Sequence, residues 1–268
     1  MRILITADLH LEATGPEPIR RLVAGMSRES PDAIVIAGDI GNPARLFEQC
    51  LNAFLRTDCP VAVVPGNHDL WHGPGETSAM LYNEILPEIT KSMGYHWLED
   101  GPLIFDNGVA IAGSIAWYDY SSRDPSLNQT EAEIAAAKPR YAMDAVRVDW
   151  ELTDQEFAAQ CRTRLQKQML ALEENEKVKS VLAITHVPVF ESQIERNPED
   201  EQWARGNPYF GHLTMGEALR GFTKLRYIVS GHTHLGLNGV VERPGIPIGS
   251  AVVGSDYGKP RWVTVEID

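Results

Sequence analysis

Five short, almost continuous apolar runs constrain the fold of this sequence most strongly, because each ends abruptly in glycine or polar residues. They occupy residues 2–6, 33–37, 61–64, 181–185 and 226–230. Runs of this kind are typical of strands buried on both faces. The segments between them carry apolar residues at helical spacing, at residues 17–30, 43–57, 76–93, 154–177 and 215–222. The alternation predicts a layered α/β fold in which helices pack on a sheet.

Two further segments predict more strands. An Asp-Asn-Gly turn at residues 106–108 separates two apolar runs within residues 103–116, which is the pattern of a hairpin. Residues 237–267 hold short β-branched runs between glycine and proline turns. We therefore expect a second sheet packed on the first.

The chain has 268 residues and shows no linker, so we expect residues 1–268 to form one domain. Two long stretches, residues 117–150 and 187–212, have an irregular pattern. Long loops in compact domains are often functional, so we interpret both as insertions at the rim of a site.

Metal-binding side chains follow the carboxyl end of all five predicted strands. In chain order they are Asp8 and His10; Asp39; Asn67 with His68 and Asp69; His186; and His232 with His234. In open α/β sheets, ligands bind outside the carboxyl ends of the strands, so these residues should converge. Residues two apart in an extended segment face the same side, which lets both D-x-H and H-x-H reach one centre. Glycines at positions 38, 66 and 231 would permit sharp turns there.

The donor types indicate which metals fit. Aspartate, asparagine and imidazole without a thiolate favour Mn, Fe, Co, Ni or Zn, whereas Ca or Mg prefers more oxygens. Without His68 and Asp69 the candidate ligands number seven, which exceeds the need of one ion, so we predict two ions about 3.5–4 Å apart that share a bridging carboxylate. Asn67 would offer a neutral oxygen where a third aspartate would add negative charge. The centre would then stay positive and attract a phosphate.

Each motif alone has a simpler interpretation. A single D-x-H or Gly-Asp after a strand is usually a turn, and His186 alone would be read as a buried structural histidine. The motifs taken together favour a metal site over structural turns, because all five strand ends carry such residues. Five of the eight histidines lie there.

Charge and cysteine content exclude several classes of protein. The formal net charge of −13 disfavours a surface that binds long nucleic acid, because such binding needs a basic footprint. The three cysteines have no CxxC spacing, so neither a disulfide framework nor a thiolate zinc site is expected. The first strand begins at residue 2 and no apolar run is long enough to cross a bilayer, so we expect a cytoplasmic protein without membrane contact.

The motif order D-x-H, GD, GNHD, H and GHTH, from Asp8 to His234, resembles the calcineurin-like metallophosphoesterase superfamily. The resemblance implies a four-layer α/β/β/α sandwich of two mixed sheets flanked by helices, with a binuclear centre at the carboxyl ends of the strands. It also implies the ligand assignment: Asp8, His10 and His234 for the first metal, Asn67, His186 and His232 for the second, and Asp39 as the bridge.

The resemblance further implies a reaction, in which a metal-bridging water or hydroxide attacks phosphorus in line. His68 would stabilise or protonate the leaving oxygen, and Asp69 would orient His68.

Departures from the family pattern reduce the number of substrate classes to consider. The second motif reads GDIGNPARL and lacks the GDxxDRG of protein phosphatases, so a phosphoprotein substrate is disfavoured. We expect a small phosphomonoester or phosphodiester, such as a nucleotide. The alternatives are a nuclease for single-stranded nucleic acid and a non-catalytic scaffold like a retromer subunit of this fold. Aromatic residues of the rim would stack on a base or, more commonly, anchor the rim: Trp117, Tyr118, Tyr120, Trp203, Tyr209 and Phe210.

Overall fold

The computed structural model describes residues 1–197 and 199–268, which form two mixed β-sheets flanked by helices. The strands are Arg2–Thr6 (β1), Ala33–Ala37 (β2), Val61–Val64 (β3), His96–Trp97 (β4), Leu103–Ile104 (β5), Val109–Ser114 (β6), Ser180–Thr185 (β7), Leu225–Ser230 (β8), Asn238–Val241 (β9), Ile248–Val252 (β10) and Trp262–Glu266 (β11). The first sheet has the order β11-β1-β2-β3-β4, and the second has the order β5-β6-β7-β8-β10-β9.

Strands β1 to β4 pair in parallel and β11 adds to β1 in the antiparallel sense. In the second sheet β6, β7, β8 and β10 are parallel, and the antiparallel strands β5 and β9 form its edges. The expected hairpin and the expected strands near the C-terminus are both present. One of the latter, β11, joins the first sheet rather than the second.

The α-helices connect the parallel strands and cover the sheets. They are Leu11–Thr14 (α1), Pro16–Arg28 (α2), Ala44–Leu51 (α3), Ser78–Met80 (α4), Leu86–Ser92 (α5), Glu131–Tyr141 (α6), Asp144–Arg147 (α7), Asp154–Glu174 (α8), Glu201–Gly206 (α9) and Leu213–Leu219 (α10). A π-helical turn, Leu81–Ile85, joins α4 to α5. None of these helices is both long and apolar enough to cross a membrane within the described ranges.

Alternate residues of the central strands face different layers, which explains why the runs are apolar throughout. Ile3 of β1 lies between the sheets in one cluster with Ile111 and Leu182 of the second sheet. Leu4 belongs instead to the cluster that includes Leu22 of α2. The two faces of each sheet are therefore both buried, and the fold class expected from the sequence is confirmed.

The rim segments contain more helix than the sequence predicts. The first holds α6 and α7 and the second holds α9, although both segments were expected to be irregular. Helix α6 buries only Ile134, so it has no apolar stripe that periodicity would reveal. A capping box between Thr130 and Glu133 starts it, and an alanine-rich sequence sustains it.

Candidate metal centre

The candidate ligands from both sheets meet where the carboxyl ends of five strands face each other. Asp8 and His10 follow β1, Asp39 follows β2, and Asn67 with His68 follows β3. His186 follows β7, and His232 and His234 follow β8. All the candidate ligands except His232 and His234 are at least nine-tenths buried. The convergence places side chains from residues 8 to 234 in one cluster.

The backbone at these positions is held in an uncommon conformation. Eight non-glycine residues in the described part of the chain have a positive φ, and five of them are candidate ligands: Asp8 (55°), His10 (39°), Asp39 (52°), His232 (74°) and His234 (60°). Left-handed backbone is unfavourable for residues with a Cβ, and such strain clusters at functional sites. The surrounding fold therefore imposes the direction of these side chains.

The glycines beside the ligands serve two different purposes. Gly38 has a φ of 85°, so it allows the sharp turn that the sequence predicts. Gly66 and Gly231 are required for space, as Gly38 is too. A Cβ at Gly66 would overlap the Asp39 carboxylate, and one at Gly231 would lie 2.9 Å from Oδ2 of Asp8.

One half of the cluster is formed by Asp8, His10 and His234. Nε2 of His10 lies 3.3 Å from Nε2 of His234, and the two rings are nearly parallel. Nε2 of His234 lies 3.8 Å from Oδ1 of Asp8. Oδ2 of Asp8 is buried and has no hydrogen-bond partner among the described residues.

The other half is formed by Asn67, His186 and His232. Oδ1 of Asn67 lies 3.0 Å from both Nε2 of His186 and Nδ1 of His232. Asp39 lies between the halves, because its Oδ2 is 3.4 Å from Nε2 of His10 and its Oδ1 is 3.4 Å from Nε2 of His186. This is the arrangement that a bridging carboxylate requires.

Outer acceptors fix which ring nitrogen of three imidazoles faces the cluster. Nδ1 of His186 lies 2.8 Å from the carbonyl of Ala37, and Nε2 of His232 lies 2.8 Å from the carbonyl of Tyr209. Nδ1 of His10 lies 3.4 Å from the carboxylate of Glu12. In the neutral rings of His186 and His232 the outer nitrogen donates its proton to a carbonyl, which leaves the lone pair of the inner nitrogen for a metal, and the nearby carboxylate of Glu12 favours the same tautomer of His10. With the orphaned oxygen of Asp8, this donor set fits two divalent ions.

The buried carboxylates at the centre interact electrostatically with the neighbouring imidazoles. Burial opposes ionisation of Asp39, but His186, His68 and His10 outweigh it and hold the pKa of this carboxyl well below its usual range. Burial likewise opposes protonation of His186, yet Asp39 raises the pKa of its imidazole to about 9. Burial and the neighbouring His186 lower the pKa of His232 to about 4.

His68 stands apart from the seven candidate ligands. Its side chain is 25% exposed and its Nε2 lies 4.0 Å from Oδ2 of Asp39. The ring stacks on Trp71, with centroids 3.7 Å apart. Burial is the main cause that lowers the pKa of His68. The imidazole therefore faces the space in front of the cluster.

The structure corrects the expected contact between Asp69 and His68. Both oxygens of Asp69 accept backbone hydrogen bonds instead, from Ile40 and Gly41 at 2.8 and 3.0 Å and from Gly66 at 2.8 Å. Three amide donors occupy this carboxylate, and no hydrogen bond joins it to the imidazole among the described residues. Asp69 joins the loops that carry Asp39 and Asn67, so any effect on His68 is indirect.

A cavity of about 350 Å³ opens beside His68, Asn67 and His232. Its other walls come from the loop after β3 and from both rim segments, including Trp71, Tyr118, Tyr141, Met143, Trp203 and Phe210. Of the rim aromatics singled out in the sequence, Trp117 and Tyr120 are structural anchors. Their Nε1 and hydroxyl groups donate to the buried carboxylate of Asp154.

Sequence reasoning missed two residues that contact the cluster, Trp71 and Asp144. Trp71 ends the GNHDLW stretch, and only its position close to His68 in the sequence indicates a role at the site. The carboxylate of Asp144 accepts hydrogen bonds from Nδ2 of Asn67 at 3.0 and 3.1 Å. Asp144 lies in a rim segment without a recognisable motif, so nothing in the sequence points to it.

The fold and the cluster together define an α/β protein with a carboxylate–imidazole cluster whose donors could hold metal ions. The chain belongs to the calcineurin-like phosphoesterase family, whose model matches residues 1–236. This membership confirms the classification as a metallophosphoesterase that the motif order suggested.

The chain is also similar to individual proteins, at low sequence identity. It is 24% identical over 209 residues to the acyl-carrier-protein phosphodiesterase PptH of Mycobacterium tuberculosis, and the match covers 74% of this chain but 63% of the length of that protein. The crystal structure of phosphopantetheinyl hydrolase (PptH) from the same organism has a TM-score of 0.71 and 21% identity, and covers 97% of this chain and 95% of that one. A dimetal phosphatase from Danio rerio has a TM-score of 0.55 and 14% identity, with 94% and 87% coverage. These structures share the fold.

Proposed function

We propose that the chain hydrolyses a phosphoester bond of a small molecule, a monoester or diester, with two divalent ions such as Mn, Fe, Zn, Ni or Co. The position of Asp39 carries this proposal, because its two oxygens face His10 and His186 separately. When bound, the ions would supply Lewis-acid charge at the phosphoryl group and activate the attacking water.

Each half of the cluster would hold one ion. Asp8, His10 and His234 would bind the first, and Asn67, His186 and His232 the second, with Asp39 shared between them. His68 would donate a proton to the leaving oxygen, because its partly exposed ring faces the cavity and its side chain has no hydrogen bond among the described residues.

The residues that line the cavity indicate which kind of organic group on the phosphoester would fit there. Seven of its lining residues are Trp, Tyr, Phe or Met, and no lysine or arginine lines it within the described ranges. Additional phosphates would bind poorly there, because the described lining contains no lysine or arginine to compensate their charge. An uncharged, largely apolar group fits better.

The phosphopantetheinyl group in the name of the similar protein PptH has this chemistry. Pantetheine is uncharged and consists mostly of methyl, methylene and amide groups. We propose a phosphodiester that carries such a group as the first substrate to examine.

Reconstitution with Mn followed by a panel of esters tests the function. We expect hydrolysis of a phosphopantetheinyl diester and of aryl phosphoesters, and we expect little cleavage of a single-stranded oligonucleotide. The aromatic cavity favours a nuclease as the second candidate, since bases stack on such side chains. Oligonucleotide cleavage with a steep salt dependence would support that alternative. Absence of hydrolysis in the Mn-loaded protein would refute both.

A further inference from the structure

Asp144 is a buried carboxylate that joins a candidate ligand to the cavity wall. It is 2% exposed and begins the short helix α7. Besides the two contacts with Nδ2 of Asn67, its Oδ1 accepts from Nε1 of Trp71 at 2.6 Å, and its Oδ2 accepts from the hydroxyl of Tyr118 at 2.9 Å. Every contact of this carboxylate is thus with a donor.

The contact with Asn67 determines which way the amide of that residue points. A carboxylate only accepts hydrogen bonds, so it selects the NH2 end of the amide and repels the oxygen end. The opposite side of Asn67 does not fix the amide, because the ring nitrogens of His186 and His232 donate or accept according to their tautomer. A metal ion binds only the oxygen.

We propose that Asp144 is a positioning residue that holds Oδ1 of Asn67 toward the second metal position before the ion binds. This proposal rests on the ligand role given to Asn67 in the proposed function. Asp144 also accepts from the indole of Trp71, the ring that stacks on His68. The side chain of Asp144 therefore contacts both Asn67, a proposed ligand, and the ring that supports His68, the proposed proton donor.

The test is Mn binding by calorimetry to metal-free protein. Asp144→Asn keeps the size of the side chain but presents an NH2 group to the donors around it. We expect the affinity of one of the two sites to fall roughly 10–100-fold, the usual effect of changing a group that orients a metal ligand. The other site should change little.

Asp154→Asn is the control, because Asp154 is also buried in this region and also accepts from an indole and a phenol, Trp117 and Tyr120, in addition to Nζ of Lys138. It has no contact with a candidate ligand among the hydrogen bonds of the described residues. We expect both Mn affinities to be unchanged in this variant. An equal loss of affinity in both variants would overturn the positioning role.

A double variant shows whether Asp144 acts through Asn67. In an Asn67→Ala background, Asp144→Asn should cause no further loss of Mn affinity. A further loss of the same size would overturn the proposal. These measurements need no substrate, so a protein that binds two ions but hydrolyses nothing would refute the proposed function alone.

The side-chain amide of Asn67 gives a readout that does not depend on folding of the Asp144 variant. In the NMR spectrum of the metal-free wild type, its NH2 pair is identified by its absence in Asn67→Ala. Protons bonded to a buried carboxylate should exchange slowly with solvent. Rapid exchange of this NH2 pair would overturn the proposal.

Discussion

Asp39 is the residue at which the two halves of the centre meet. Its oxygens contact His10 on one side and His186 on the other, and Oδ1 also accepts from the backbone N–H of His68 at 2.9 Å. A side chain that contacts both halves should influence both metal positions. Among the hydrogen bonds of the described residues, Asn67 reaches only His186 and His232 of the other candidate ligands, so its influence should be confined to one position.

This difference predicts unequal effects of two substitutions. Asp39→Asn should lose metal at both positions, because the amide supplies one neutral oxygen where the carboxylate supplies two charged ones. Asn67→Ala should mainly weaken the second position. Elemental analysis after Mn reconstitution and desalting measures the outcome. Small and equal losses in the two variants would argue against a bridging role for Asp39.

A second prediction separates His68 from the ligand histidines. His68→Ala should keep both metals and lose about 10²–10⁴-fold in kcat, the usual contribution of a positioned acid or base. Nitrophenyl esters should suffer less than alkyl esters, because nitrophenolate leaves without a proton. The kcat/KM of both ester types in the wild type and the variant measures the difference.

His10→Ala is the control for this experiment, and it should lose metal and activity together. If His68→Ala also loses metal, His68 is a ligand, as its place within reach of His10 and Asp39 allows. If activity on both esters falls equally, His68 is not the proton donor.

Individual residues differ in how far the sequence predicts them. The candidate ligands follow directly after apolar strands, so their convergence could be predicted from strand order and the sheet rule. The partner of Asp69 could not be predicted, because three backbone amides compete for its carboxylate and only the packed loops decide. Asp144 could not be predicted either, since its role depends on where a rim helix lies.

At the scale of elements, the loops after β2 and β3 are held together by Asp69. The loop after β2 contributes the amides of Ile40 and Gly41, and the loop after β3 contributes that of Gly66. These loops carry Asp39 and Asn67. The spacing between the two candidate ligands therefore depends on a side chain that contacts neither of them through a hydrogen bond.

Asp69→Asn should consequently reduce stability even without metal. The amide keeps one acceptor and places an NH2 group against a buried backbone donor, which costs about 1–3 kcal/mol. Urea unfolding of the metal-free protein measures the change in the free energy of unfolding. Asp58→Asn, an exposed position just before β3, is the control and should change little. Equal effects of the two substitutions would contradict the proposal that Asp69 holds the loops after β2 and β3 together.

Elements also differ in how well the sequence predicts them. The central strands were predicted within one residue, because burial on both faces makes them apolar throughout. Helix α6 was missed because it buries only Ile134, and an exposed helix leaves no periodic pattern. Its start was nevertheless visible in the capping pair Thr130 and Glu133.

At the scale of the whole molecule, the centre connects the two sheets. Asp8, His10, Asp39 and Asn67 come from the first sheet, and His186, His232 and His234 come from the second. Each half of the proposed ligand set contains residues of both sheets. Bound ions would therefore tie the sheets together at one end of the cluster that packs between them.

Removal of metal should accordingly lower the melting temperature. An ion present at a thousand times its Kd stabilises the folded state by about 4 kcal/mol, and a domain of this size gains about 2–4 °C per kcal/mol. We expect EDTA to lower the Tm of Mn-loaded protein by roughly 8–16 °C for each such site. Differential scanning calorimetry with and without the chelator measures the shift. Asp39→Asn should melt at the same temperature under both conditions, because little metal remains to be removed. An equal shift in that variant would place the stabilising ion elsewhere, and no shift in the wild type with bound Mn would show that the ions do not connect the sheets.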